Sequence, residues 1–212
     1  MKLARILPAL LLAAAPAAAQ GGPPSSLTGT FTLTHAGTTV LTESFRRSAD
    51  RLEVELEMYS GLRAAYALTL RADGSVAALS LRQWAESAGA DADPVLVASG
   101  EIVEGRLSLH VEGPQGTQTP AFEVAPGTVV YVNPSPSAME QIVLRARAMG
   151  RPRVEVPVWA VDGGQSVNAT VSFGDGEAVL SLADVEVVLR LDASGRVLGG
   201  TVPQQGLTIE RS

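Results

Sequence analysis

The chain has 212 residues, of which 16 are basic and 22 are acidic, and its formal net charge at pH 7 is −6. A chain this acidic lacks the positive surface that nucleic acid or an anionic membrane would require. It contains no cysteine and only one lysine, Lys2. This composition excludes disulfide bonds and thiol nucleophiles, and it leaves no lysine beyond position 2 for Schiff-base chemistry.

The first twenty residues have the three parts of a secretory signal peptide. A basic head at residues 1–5 precedes ten apolar residues, Ile6 to Ala15, and a small-residue cleavage site ending at Ala19. The apolar run is too short to span a bilayer. We therefore expect a signal peptide at 1–19, a flexible tether at 20–26 and a periplasmic or secreted protein without a transmembrane segment after cleavage.

Residues 27–212 are predicted to form a single β-rich domain. The clearest strand is Leu52 to Met58, where apolar side chains alternate with Glu53, Glu55 and Glu57. Short strands with turns between them favour antiparallel pairing. The other strands are predicted at 30–34, 40–45, 66–71, 76–84, 95–98, 106–111, 121–124, 129–132, 154–161, 167–173, 177–182, 185–191, 197–202 and 207–210.

One segment has helical periodicity. Met139, Ile142, Val143, Ala146 and Met149 are spaced for one face of a helix at about 136–149. Two caps fit its start: a capping box formed by Ser137 and Glu140, or Ser135 as the cap with Pro136 in the first helical position. Gly150 and Pro152 end it. The predicted fold is therefore mainly β, a long curved antiparallel sheet or open β-barrel with a single amphipathic helix packed against it. The stripe formed by Met139, Ile142, Val143 and Ala146 should be buried against the sheet, and Arg145 and Arg147 should face water or pair with carboxylates.

Two predicted hairpins resemble one another. Leu68, Leu70, Gly74 and Val76 match Leu189, Leu191, Gly195 and Val197 at a constant offset of 121 positions. The match is consistent with two similar halves around the helix, or with convergence on the same turn chemistry.

The sequence contains no motif that indicates a catalytic, metal or cofactor site. The two histidines, His35 and His110, lie on different predicted strands without metal-ligand spacing, and ordinary solvated positions are expected for them. Gly164 to Asn168 only partly matches a serine-hydrolase elbow and falls in a predicted hairpin. We expect a protein that is not an enzyme.

The two tryptophans are the candidate ligand-binding residues. Trp84 has the strand parity of Ser80 and Arg82, and Trp159 has that of Glu155 and Pro157, so strict alternation assigns both rings to the solvent-facing side. Either these strands are buried on both faces, or the rings line a ligand groove. A β-bulge would reverse the parity.

Several segments resemble parts of known exported proteins. Leu189 to Leu207, with Asn133 to Ser137 and Val154 to Val158, is similar to the β-rich N-terminal accessory domain of secreted bacterial α/β hydrolases. Gly29 to Leu33 resembles the opening strand of related exported proteins of unknown function. No hydrolase nucleophile accompanies these segments. The resemblance implies an accessory or binding role and transfers no catalytic residue.

Two functions follow as expectations. The first is an exported, non-catalytic binding protein for an apolar small molecule or lipid-like ligand in the cell envelope. The second is a structural or interaction module that supports a secreted hydrolase or another envelope protein. Neither involves nucleic acid.

Overall fold

The computed structural model describes residues 26–86, 88–89 and 91–212. The predicted signal peptide and all of the tether except Ser26 lie outside the described residues. The described residues form one helix, α1 (Pro136–Ala148), a short 3-10 helix (Pro203–Gln205) and sixteen strands. The strands are β1 (Leu27–His35), β2 (Thr38–Arg47), β3 (Arg51–Met58), β4 (Arg63–Leu70), β5 (Val76–Trp84), β6 (Leu96–Val103), β7 (Arg106–Gly113), β8 (Gly116–Gln118), β9 (Ala121–Glu123), β10 (Val129–Tyr131), β11 (Arg153–Ala160), β12 (Gln165–Phe173), β13 (Glu177–Leu182), β14 (Val185–Leu191), β15 (Val197–Val202) and β16 (Leu207–Arg211).

All sixteen strands belong to one open sheet in the order β10-β11-β12-β13-β14-β15-β16-β1-β2-β3-β4-β5-β6-β7-β8, and β9 also pairs with β7. The sheet curls until the segment before β10 meets the start of β5, where the Val76 amide donates to the Thr128 carbonyl at 3.0 Å. Helix α1 packs against β10 to β13. The predicted fold class is therefore confirmed. Among the described residues no helix has the length and apolarity needed to cross a membrane.

Alternation along the strands separates an apolar interior from a polar exterior. On β3, Leu52, Val54 and Leu56 are buried, whereas Glu55 and Glu57 are exposed. The register is strongly specified because a slip of one residue would exchange these two faces. Interior side chains from every strand except β8, together with those of α1, form one continuous hydrophobic core.

The structure differs from the sequence predictions in the pairing of β10 with β11 and in one additional strand, β8. The pair β10–β11 is parallel, with Val130 opposite Trp159, because α1 lies between these strands and acts as a crossover. Strand β8 was not predicted, since its three residues, Gly116 to Gln118, are exposed and have no apolar alternation. It is a short edge strand.

The two hairpins that matched in sequence, β4–β5 and β14–β15, also match in geometry. Both contain a register shift at the end of the first strand, between Thr69 and Leu70 and between Arg190 and Leu191. In both turns the first residue donates its amide to a carbonyl four residues later: Arg71 to Ser75 at 2.8 Å and Asp192 to Arg196 at 2.9 Å. The turn glycines, Gly74 and Gly195, have φ of 81° and 85°, a conformation that glycine adopts at little steric cost. Duplication as the origin of these twin hairpins stays a prediction.

Helix α1 begins at Ser135, whose hydroxyl accepts the Ala138 amide at 3.2 Å, with Pro136 in the first turn. This is the second of the two predicted caps. Glu140 forms no capping box and points into the core instead. The predicted stripe is buried at Met139, Ile142, Val143 and Ala146. Met149, which has the same helical spacing but lies outside the predicted buried stripe, follows the last helical turn and is 39% exposed.

Both helix arginines bind the twin hairpins. The Arg145 guanidinium lies 3.4 Å from the Asp73 carboxylate and donates to the Asp73 carbonyl at 2.9 Å. Arg147 donates to the Ala193 carbonyl at 2.9 Å. The carboxylate pairing that was predicted for these arginines is therefore confirmed for Arg145. The contacts tie the C-terminal half of α1 to both hairpin turns.

Candidate functional site

A cavity at one end of the curled sheet is the candidate site. Its volume is about 240 Å³, and among the five cavities described on this chain it is the most enclosed. Strands β10 to β16, the end of β1 and the first turn of α1 converge on it. Its inner wall is aliphatic and includes Leu33, Met139, Val167, Leu180, Val187 and Val202. We call this the end cavity.

The mouth of the end cavity carries polar groups. Tyr131, Asn133, Asp162, Gln165 and Gln205 lie there, and the last four are exposed. The Tyr131 hydroxyl donates to Asn133 Oδ1 at 3.1 Å, and Asn133 Nδ2 donates to Asp162 Oδ2 at 3.3 Å. Burial raises the pKa of Tyr131 well above its ordinary value, and the negative charge of Asp162 adds to that rise. Tyr131 is therefore held as a neutral hydrogen-bond donor.

A buried charge cluster, formed by Glu43, Arg47, Glu140 and Arg211, lies in the core beside α1. Glu140 Oε2 accepts the Val197 amide at 2.8 Å and an Arg211 guanidinium nitrogen at 3.0 Å. Arg47 Nε lies 3.3 Å from Glu140 Oε1, without hydrogen-bond geometry. The Arg211 guanidinium also lies over the rings of Phe31 and Phe45, at 5.4 and 4.8 Å from their centroids. These contacts join β1, β2, β15 and β16 to the helix.

Glu43 occupies a special place in this cluster. Its carboxylate accepts the Ser137 amide at 2.8 Å, in the first turn of α1, where the helix dipole favours a negative charge. Its other oxygen, Oε2, is buried without a hydrogen-bond partner. Burial raises the pKa of Glu43 to about 7, partly offset by hydrogen bonding from the helix N-terminus and reinforced by the charge of Glu140.

The sequence analysis did not identify this cluster, although one signal was present. On β2, Glu43 and Arg47 have the same parity as the apolar residues Leu41 and Phe45, and all four are buried. The strand parity alone therefore places the Glu43 and Arg47 side chains on the interior face of the sheet. Their partners on α1 lie about 90 residues further along the chain, and only the fold brings them together.

The structure does not bring the two predicted tryptophans together. Trp84 is half-buried in a hollow on the outer face of β2 to β5, beneath the Arg63 guanidinium at 5.4 Å from its ring centroid. Its indole N–H donates to the Ala92 carbonyl at 3.0 Å. Trp159 is 2% exposed because Phe122 covers it, with the ring centroids 5.6 Å apart. Neither ring lines the end cavity, and a ligand-binding role for Trp84 or Trp159 stays a prediction.

The histidines are also apart. His110 is half exposed and lies 3.0 Å from Glu112 on the same strand, and His35 is exposed at the end of β1. In the part of the chain that the structure describes, no three side chains of histidine, aspartate or glutamate are grouped for a metal ion.

Comparison with known proteins defines the fold only. No family model matches the chain. No curated protein matches it either. Among solved structures, a DUF1089 family protein from Pseudomonas aeruginosa is similar over 89% of this chain and 95% of its own, with 18% identity and a TM-score of 0.51. A β-barrel-like protein of the domain of unknown function DUF1849 from Brucella abortus covers the same shares, with 13% identity and a TM-score of 0.41. The resemblance to hydrolase accessory domains stays a prediction. The chain therefore shares its fold with a protein of the DUF1089 family.

Proposed function

We propose that this protein is an exported, non-catalytic binding protein that holds an apolar or lipid-like ligand in the end cavity. The observation that carries the proposal is the contrast between the aliphatic wall of that cavity and the polar residues at its mouth. Ligand sites in proteins are typically apolar hollows with a few oriented polar groups. Export rests on the signal-peptide pattern of residues 1–19.

The size of the end cavity limits what it holds. At about 240 Å³ it lies just below the range of roughly 300–1,000 Å³ that is usual for ligand pockets. A single aliphatic chain fits such a volume better than a lipid with two chains. The polar end of the ligand would then remain at the mouth, beside Asn133 and Asp162.

The largest of the five described hollows is a poorer site. It has about 720 Å³, but it is a more open groove on the outer face of β1 to β5, bordered by Arg46, Arg51, Glu53 and Arg82. Charged side chains in contact with water give an apolar ligand little gain from burial. The end cavity is smaller and better enclosed, so burial there removes more apolar ligand surface from water.

The experiment is extraction of the protein purified from its own host. Organic extracts analysed by mass spectrometry should contain a stoichiometric apolar compound. The variant Ala160→Phe, which adds a ring to the cavity lining, should lose that compound, whereas Leu198→Phe at an exposed position of β15 should retain it. Thermal melts of both variants check that they fold. Background lipid alone, in a wild-type protein that is folded, would refute the proposal.

A further inference from the structure

The hydrogen bonds at the mouth of the end cavity all run in one direction. Tyr131 donates to Asn133, and Asn133 donates to Asp162. Each donor in this series of hydrogen bonds points to the next acceptor, and the last acceptor is the Asp162 carboxylate. The mouth therefore offers acceptor oxygen atoms at its solvent-facing end.

The lining of the end cavity is also negatively charged. Asp162 is the only charged residue among the described residues that line the end cavity. A carboxylate or phosphate placed at this mouth would face the charge of Asp162 with no lining cation to balance it. A hydroxyl or ammonium group would instead donate a hydrogen bond to the carboxylate.

We propose that the end cavity selects an aliphatic chain whose polar end is a hydrogen-bond donor, neutral or positively charged, and discriminates against fatty-acid carboxylates, with Asp162 as the residue that sets this preference. The inference rests on the proposed function, since it assigns the ligand class of the same cavity. It adds a preference for the charge of the ligand's polar end, which an apolar wall alone does not provide.

Three probes that share a linear alkyl chain and differ in the polar group test this preference: decylamine, 1-decanol and decanoate. Each is used below its critical micelle concentration. Binding is measured by calorimetry on the full mature protein at pH 8. We expect the affinity to fall in the order amine, alcohol, carboxylate. Asp162 is exposed, so the advantage of the amine over the alcohol should be modest, about two- to fivefold, and should shrink as salt is added.

The variant Asp162→Asn should lose the preference for the amine and bind decanoate more tightly than the wild type, with little change for decanol. Asp175→Asn is the matched control, because Asp175 is exposed in the turn after β12, at the opposite end of that strand from the cavity-lining Gln165 and Val167, and does not line the cavity. If both variants lose the preference equally, the net negative charge of the chain causes it and the role of Asp162 is refuted.

Two further outcomes distinguish failure of this inference from failure of the proposed function. If the wild type binds decanoate as tightly as decylamine, the cavity takes chains without regard to charge, and only the present inference falls. If none of the three probes binds and extracts contain only background lipid, the proposed function falls as well.

Discussion

The Glu43 carboxylate on β2 and the Ser137 amide in the first turn of α1 are joined by a hydrogen bond of 2.8 Å across 94 positions of the chain. This bond fixes the N-terminus of the helix to the interior face of the sheet. Its strength depends on the ionisation of Glu43, because a charged carboxylate is the better acceptor. Burial opposes that ionisation and raises the pKa of the group to about 7.

Glu43 should therefore make stability depend on pH. A carboxyl group whose pKa is higher in the folded state than in the unfolded chain stabilises the fold below the unfolded pKa, and this contribution is lost as the pH rises through the folded pKa. For Glu43 the loss should occur between about pH 4.5 and about pH 7. It should be on the order of 3 kcal/mol, since one pKa unit corresponds to about 1.4 kcal/mol.

The measurement is urea unfolding of the wild type and Glu43→Gln across this range. Glutamine keeps an acceptor for the Ser137 amide and has no charge to bury. The variant should gain stability relative to the wild type as the pH rises from 4.5 to 7.5. A difference between the two proteins that does not change with pH would contradict this expectation.

Removal of one member of the buried charge cluster should destabilise the fold strongly. Glu140→Gln leaves the Arg47 and Arg211 guanidinium groups buried without their carboxylate, and breaking a buried pair in this way costs about 3–5 kcal/mol. Glu53→Gln is the control, because its pair with Arg51 is exposed and contributes about 0–1 kcal/mol. Denaturant unfolding compares the two. Equal effects would mean that water or rearrangement compensates the buried arginines.

Truncating a side chain of the buried apolar stripe of α1 should destabilise the fold nearly as much. Ile142 is fully buried between α1 and the sheet, so Ile142→Ala should cost roughly 2–5 kcal/mol. Met149→Ala, at the exposed end of the helix, should cost far less. Thermal melts with and without extracted lipid make the comparison. An unchanged melting temperature with altered ligand retention would instead identify the helix as a mobile gate.

Gly200 on β15 should not accept a side chain. A Cβ atom there would lie 2.3 Å from the Val188 carbonyl oxygen of the neighbouring strand, and backbone cannot move aside cheaply. Gly200→Ala should therefore cost about 1–3 kcal/mol or more through overpacking. Gly174→Ala is the control, since a Cβ atom there meets no atom within 4 Å. Similar unfolding midpoints for the two variants would show that β15 can shift.

The strands and the helix were predictable because their signals are local. The alternation from Leu52 to Met58 and the spacing of Met139, Ile142 and Val143 each determine a buried face within one element. Serine and proline at the helix start limited its cap to two candidates, of which the structure forms the one at Ser135. Short strands separated by turns predicted mainly antiparallel pairing, in either a long curved sheet or an open barrel.

The end cavity, the charge cluster and the covering of Trp159 were not predictable in this way. Each depends on which distant elements meet: Leu33 with Leu180, Glu43 with Ser137, and Phe122 with Trp159. Strand parity correctly placed Trp159 on the opposite face of β11 from Val154, Val156 and Val158. The sequence of a strand does not indicate which distant segment covers that face. The parallel pairing of β10 likewise depends on the path of the chain around α1.

The pairing of β1 with β16 has a consequence for how the chain reaches its native state. Six strands, β10 to β15, lie on one side of β16 in the sheet order. The other side holds β1 to β8 together with β9, which pairs with β7, so β16 joins the two halves of the sheet. The two halves cannot complete their shared core until Leu207 to Arg211 are in place. Folding of this protein therefore requires a long-range closure between β1 and β16, and such pairing of distant strands is slow. Any factor that shields β1 and β15 before that closure would protect the chain from pairing with another copy of itself.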